Sequence, residues 1–153
     1  MPHSHLNAIL HLLNAHDLLE QRLSGDLGAI HGLSLREALL LLHLQEAPAR
    51  KLSRVDLSRR MYSSASTITR MVAPLEKIGL VSRQSDPRDA RLAFVVLTRS
   101  GSTKAREVRD TLSRFAGSAF LNQWTDQEVA TLTTLIGRLT ANTPGDLTRH
   151  SPS

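Results

Sequence analysis

The chain has 153 residues, 41% apolar but only 3% aromatic, with a formal charge of +5 and no cysteine. That length suits one domain with an aliphatic, mainly helical core. The missing cysteine excludes disulfides, thiolate metal sites, cysteine nucleophiles and cysteine-based redox sensing. The longest apolar run, Ala38 to Leu44, is interrupted by His43 and falls short of the ~20 residues a membrane span needs. The N-terminus lacks the basic flank and small-residue cleavage site of a secretory signal, so a soluble, cytoplasmic protein is expected, with no membrane partner.

From His5 to Leu27, leucines and Ile9 recur at helical spacing, predicting a first helix that ends near Gly28. Ser34 and Glu37 form a capping box that opens a short buried helix from Leu35 to Leu44, which Pro48 forbids from continuing. Ser53 with Asp56 predicts a third helix reaching Met61, with Val55, Leu57 and Met61 turned inward. A few residues of turn follow, and a fourth helix starts near Ser63 or Ser64 and stops at Gly79. On a wheel of about 100° per residue, Ile68, Met71, Val72, Leu75 and Ile78 share one stripe, while Ser66, Thr69, Arg70 and Lys77 lie opposite. Pro74 deletes one backbone bond in that helix and predicts a kink, not a break.

Beyond Leu80 the hydrophobic period changes. Val81 to Gln84 and Leu92 to Leu97 read as two strands around a polar turn, Ser85 to Arg91, forming a hairpin. Thr98 caps a long helix through Val108, Leu112 and Phe115. Thr125 with Glu128 caps a last helix that carries Val129, Leu132, Leu135, Ile136 and Leu139 on one face, with Trp124 and Val129 as a hydrophobic staple. The tail from Pro144 is polar and reads as disordered.

The charge is concentrated. Between Arg50 and Arg91 lie ten Lys/Arg and four Asp/Glu, a net of +6 that leaves the rest of the chain at −1. A basic segment that coincides with a helix-turn-helix and a hairpin points to a polyanion, because neutralising phosphates releases condensed counterions. Arg70 can bridge two acceptors on a guanine edge in a major groove, and Ser66, Thr69 and Lys77 can serve bases or phosphates. Ser63 and Ser64, at the positive end of the helix, suit a backbone phosphate. Arg88 and Arg91 can reach a narrow minor groove, with Asp86 and Asp89 holding those arginines in place. The plainer reading of each feature is an amphipathic surface helix and surface ion pairs.

Several ordered blocks of the chain resemble the MarR family of transcription regulators. They are Leu57-Ser58-Arg59-Arg60-Met61, Ser66-Thr67-Ile68-Thr69-Arg70-Met71-Val72, Leu75-Glu76-Lys77-Ile78-Gly79-Leu80-Val81-Ser82-Arg83, Asp86-Pro87-Arg88-Asp89-Ala90-Arg91 and Val95-Val96-Leu97-Thr98-Arg99-Ser100-Gly101. The resemblance implies a mainly α fold with a small β-hairpin wing, built as a winged helix-turn-helix lobe plus a helical dimerisation region. Residues 1–33 would supply an N-terminal dimerisation helix, 34–99 the winged lobe, 100–143 the C-terminal dimerisation helices and 144–153 a disordered tail. It further implies a homodimer on a palindromic operator of double-stranded DNA, with Arg91 as the minor-groove arginine of the wing and Thr67 among the DNA-facing residues of the helix from Ser64. A regulator of this kind usually represses and is released by a small aromatic or anionic effector, for which His11, His16, His31 and Arg109 are the candidate contacts.

Seven histidines invite a metal. His11 and His16, however, stand about 140° apart on a helix, without the cysteine or acidic partners of a typical site. No metal or other cofactor is therefore expected. G-x-S-x-G, H-E-x-x-H, P-loop and dinucleotide fingerprints are all missing, so the chain does not read as an enzyme. A winged-helix module acting through protein contacts, without direct DNA readout, is the alternative.

Overall fold

A computed structural model describes residues 2–89, 91–121, 123–141, 143, 145 and 147. The chain divides into two compact units, residues 1–35 and 36–153.

The first unit is essentially one helix, α1 (Pro2–His31), of 30 residues, about 45 Å long at 1.5 Å per residue. The expected stop at Gly28 is corrected. Glycine inside a helix costs only about 1 kcal/mol, and the helix passes through Gly25 and Gly28. It ends where the backbone first turns left-handed, at Gly32 (φ 66°), whose N–H donates to the Gly28 carbonyl at 3.1 Å. Leu6, Ile9, Leu10, Leu13, Leu18 and Leu19 are all exposed along α1.

The next helix, α2 (Leu35–Glu46), which lies in the second unit from Arg36 onward, buries Ala38 and Leu40 to Leu44, as its continuous apolar run requires. A 3-10 turn, Pro48–Arg50, leads into a short strand, β1 (Lys51–Ser53). Then follow α3 (Arg54–Arg60), α4 (Ala65–Lys77), β2 (Val81–Ser85), β3 (Ala93–Leu97), α5 (Arg99–Phe120) and α6 (Asp126–Thr140). The antiparallel sheet has the order β1-β3-β2, with Leu52 opposite Val95 and Val81 opposite Leu97. The hairpin was expected, whereas the third strand was not. Three residues are too short to show an alternating pattern.

The lobe's core is aliphatic: Leu40, Leu41, Leu44, Leu57, Ile68, Val72, Leu75, Val81, Val95 and Val108 are all fully or nearly fully buried. Two expected core residues are exposed. Val55 is 52% exposed, because on a helix it points about 200° away from the buried Leu57. Ile78 is 62% exposed: it is the C-cap residue of α4, where the helical stripe no longer sets the direction of the side chain.

α4 ends in a Schellman arrangement, with Gly79 (φ 79°) donating to the Glu76 carbonyl and Leu80 N–H to the Leu75 carbonyl, both at 3.0 Å. The helix is continuous through Pro74. Thr98 caps α5 by accepting from Gly101 N–H at 3.0 Å, and Thr125 and Glu128 close the expected capping box on α6. Trp124 meets Phe120 edge to face, ring centroids 5.7 Å apart. α6 buries none of its residues, and Leu135, Ile136 and Leu139 are exposed. The expectation of a disordered tail from Pro144 falls mainly on residues outside those described. No single helix among the described residues is long and apolar enough to cross a membrane.

Candidate nucleic-acid interface

Two short helices and a hairpin position the candidate residues. Ser53 starts α3 by accepting from Asp56 N–H at 3.0 Å and donating to the Asp56 carboxylate at 2.9 Å. Ser64 starts α4 by accepting from Thr67 N–H at 3.2 Å. Its hydroxyl also lies 3.0 Å from that of Ser66 and 2.9 Å from that of Thr67, so three hydroxyls cluster at the positive end of the helix dipole. Ser63 is half-buried, and its hydroxyl bridges inward, donating to the Met61 carbonyl at 3.1 Å and accepting from Arg36.

Along α4, Ser66, Arg70 and Lys77 are exposed, whereas Thr67 and Thr69 are half-buried. Thr69 donates to the Ala65 carbonyl at 3.0 Å and accepts from Arg54 at 3.2 Å. Arg70 lies one turn from Thr67, at 3.4 Å from its hydroxyl. The apolar stripe of Ile68, Val72 and Leu75 is buried, so the helix is pinned by one face and offers the other.

The wing turn is held by its two carboxylates in a way the sequence did not disclose. Asp86 accepts from the backbone N–H of Arg88 at 2.7 Å, and Asp89 from that of Arg91 at 2.9 Å. The acids thus shape the turn as a pair of Asx turns and do not hold the guanidinium groups. Cross-turn bonds between Asp86 N–H and the Leu92 carbonyl, and between Leu92 N–H and the Asp89 carbonyl, both at 3.0 Å, close the loop. Arg88 and Arg91 stand exposed on this frame.

Three arginines that sequence reasoning did not single out contribute. Arg36 of α2 clasps the turn before α4, Arg54 holds Thr69, and Arg83 of β2 pairs with Glu76 of α4 at 2.9 Å. Arg54 and Arg83 line an open cleft with Thr69, Val72, Ala93, Phe94 and Val95. All but Arg36 lie within the basic segment, but nothing in the pattern marked their partners. Inside the lobe, burial pushes the imidazole of His43 down to about 4, with the positive charges of Arg60 and Arg36 acting in the same direction. His43 is accordingly neutral at pH 7.

The candidate effector residues are divided between the two units. His11 and His16 are exposed on α1, and His31 is half-buried in its last turn. Arg109 of α5 is ion-paired with Glu46 of α2. His16 does have acidic neighbours, contrary to expectation: its ligating atoms and those of Asp17 and Glu20 all lie within 4.8 Å of one another, fully on the surface.

Residues 33–92 match the model of the MarR family. This stretch runs from the residues before α2 through the wing turn, the same span that holds the exposed arginines and the helix-turn-helix. The fold agrees along most of the chain. The crystal structure of Sco3205, a MarR family transcriptional regulator from Streptomyces coelicolor in complex with DNA, superposes with a TM-score of 0.78 at 26% identity, covering 88% of this chain and 84% of that one. A MarR family regulator from Rhodococcus sp. RHA1 reaches a TM-score of 0.81 at 20% identity, over 90% of this chain and 94% of its own. An HTH-type transcriptional regulator of uncharacterized role from Bacillus subtilis (strain 168), YdgJ, is 30% identical over 83 residues. That match takes in 54% of this chain and 48% of YdgJ, so the chain aligns with about half the length of this curated relative. The MarR family segment stops short of α5 and α6.

Proposed function

We propose that the chain is a sequence-specific DNA-binding transcription regulator acting in the cytoplasm as a homodimer on a palindromic operator. The observation that carries this reading is the pairing, within one winged lobe of net charge +6 between Arg50 and Arg91, of a helix with an exposed polar face and a turn with two exposed arginines. α4 would enter the major groove, with Arg70 on a guanine edge and Ser66, Thr67, Thr69 and Lys77 on bases or phosphates. The hydroxyl cluster of Ser64, Ser66 and Thr67 would lie against a phosphate, whereas Ser63, with its hydroxyl turned inward to Met61 and Arg36, would hold the turn. Arg88 and Arg91 would reach the flanking minor groove. Relatives solved with DNA, Sco3205 and a mutant MarR from E. coli complexed with operator DNA, support the assignment.

The dimer reading rests on apolar surface. α1 exposes Leu6, Ile9, Leu10 and Leu13, and α6 exposes Leu135, Ile136 and Leu139. Such stripes suit helices that bury themselves against a second copy, giving residues 1–33 and 100–143 the dimerisation role around a lobe of 34–99. In this reading the protein represses, and a small aromatic or anionic effector releases it.

The test is a gel shift of the purified protein against the intergenic DNA beside its own gene, titrated with salt and heparin, alongside sedimentation. One shifted duplex that survives heparin at moderate ionic strength, from a dimer at micromolar concentration, supports the assignment. A lobe that shifts no duplex but captures protein would instead be a winged-helix adaptor.

A further inference from the structure

The turn joining α3 to α4 contains a strained residue. Tyr62 has φ 49°, a left-handed conformation that costs a non-glycine residue about 1–2 kcal/mol and persists only where its surroundings impose it. Local backbone bonds supply part of the restraint: Met61 N–H to the Leu57 carbonyl at 2.9 Å and Ser63 N–H to the Ser58 carbonyl at 3.0 Å. The remainder comes from a distant helix. The Nη2 of Arg36, 25 residues upstream in α2, donates to the Met61 carbonyl at 2.5 Å and to the Ser63 hydroxyl, which itself donates to Met61 at 3.1 Å. One guanidinium therefore grips the residue before Tyr62 and the residue after it. Gly145 also approaches this turn so closely that a Cβ there would lie 2.3 Å from the Arg60 carbonyl and 3.0 Å from the Tyr62 ring.

Ser64, the cap of α4, follows the gripped residues directly. The clasp thus determines where α4 begins relative to α2. Base readout tolerates only about 0.5 Å of misplacement, whereas non-specific attraction depends mainly on how many phosphates are neutralised.

We propose that Arg36 is a positioning residue for DNA reading: by clasping the α3–α4 turn it orients α4 and so sustains sequence discrimination, without itself supplying a DNA contact. This rests on the DNA-binding reading above. Two probes test it, a duplex obtained by in vitro selection against the wild type and a poly(dI-dC) duplex. Tyr62 is the only tyrosine, so 3-fluorotyrosine labelling gives one 19F line that reports on the turn without DNA.

For Arg36→Leu, the selected duplex should bind about tenfold more weakly, the loss expected for one weakened base contact. Poly(dI-dC) affinity should stay within about twofold and the salt slope should not change. The 19F line should move in free protein. Arg36→Lys, which keeps the charge but loses the planar fork, should fall between. Adding Ser63→Ala to Arg36→Leu should change little further, because the two act through one clasp. If Arg36→Leu does not fold, Arg36→Lys and Arg36→Gln carry the same readouts. A folded variant whose ratio of selected to non-specific affinity is unchanged overturns the proposal. So does an equal loss on both probes with a slope lower by about one, which would make Arg36 a phosphate contact. A wild type without preference for any duplex overturns the DNA reading itself, and the 19F line then shows separately whether the clasp exists.

Discussion

Replacing Gly101 with alanine probes how tightly the first turn of α5 is locked to the base of the wing. An added Cβ would lie 1.9 Å from the Leu80 carbonyl oxygen and 2.7 Å from Leu97 Cδ1, where ordinary contact begins at 3.4 Å. The gap must therefore open by roughly 1.5 Å in a close-packed interior. The Leu80 carbonyl cannot retreat freely. It accepts Thr98 N–H at 3.1 Å and the Thr98 hydroxyl at 3.0 Å, and that hydroxyl also donates to the Gly79 carbonyl at 2.6 Å. Two weakened hydrogen bonds at about 1 kcal/mol each and about 1–3 kcal/mol of overpacking are offset by about 1 kcal/mol of helix propensity gained. The net destabilisation is about 2–4 kcal/mol, a fall in Tm of roughly 5–15 °C for a chain of this size. Helical circular dichroism followed through the melt, at matched protein concentration, measures it. Gly117→Ala, in the same helix with nothing within 4 Å of its Cβ, is the control and should melt at or above the wild type. A Gly101→Ala protein that melts with the Gly117→Ala control would refute the close approach.

His43 sets an acid limit on stability. Its folded value of about 4 lies below the ordinary 6.5, so the unfolded chain takes up a proton before the folded one, and stability present above pH 6.5 is lost as pH falls toward 4, by roughly 3 kcal/mol at most. Urea unfolding at pH 7.5, 5.5 and 4.5 should show this slope reduced in His43→Leu, and an identical slope in both proteins would rule His43 out as its source. Arg91→Ala should weaken operator binding at low salt while leaving Tm unchanged, since the side chain is exposed and Asp89 holds only its backbone; unaltered affinity would remove Arg91 from the interface. Ser64→Ala should cost about 1 kcal/mol by uncapping α4, and a melting curve identical to the wild type would show that Thr67 N–H has another acceptor.

Much of this architecture was legible because local chemistry announces itself. The caps expected at Ser53, Thr98 and Thr125 each accept a backbone N–H from the first turn of their helix, and the helix expected to start near Ser63 or Ser64 is capped by Ser64. Gly79 ends α4 because its left-handed conformation is available to glycine at no steric cost. What escaped was non-local or geometric. β1 is three residues whose partner, β3, lies some 40 positions onward. The clasp from Arg36 to Ser63 likewise crosses 27 positions. Val55 and Ile78 are apolar but exposed, Val55 because the helix turns it away from Leu57 and Ile78 because it is the C-cap, past the end of the helical stripe. Pairing by charge suggests guanidinium partners for Asp86 and Asp89, where the turn uses their carboxylates to hold backbone N–H groups.

The most direct test of the central claim is fluorescence anisotropy of the purified protein on the selected duplex and on a scrambled duplex of equal length, at physiological ionic strength. The account predicts an affinity ratio of at least about 10³, as specific recognition by a dimeric reading head requires. Equal affinity for the two duplexes would contradict it.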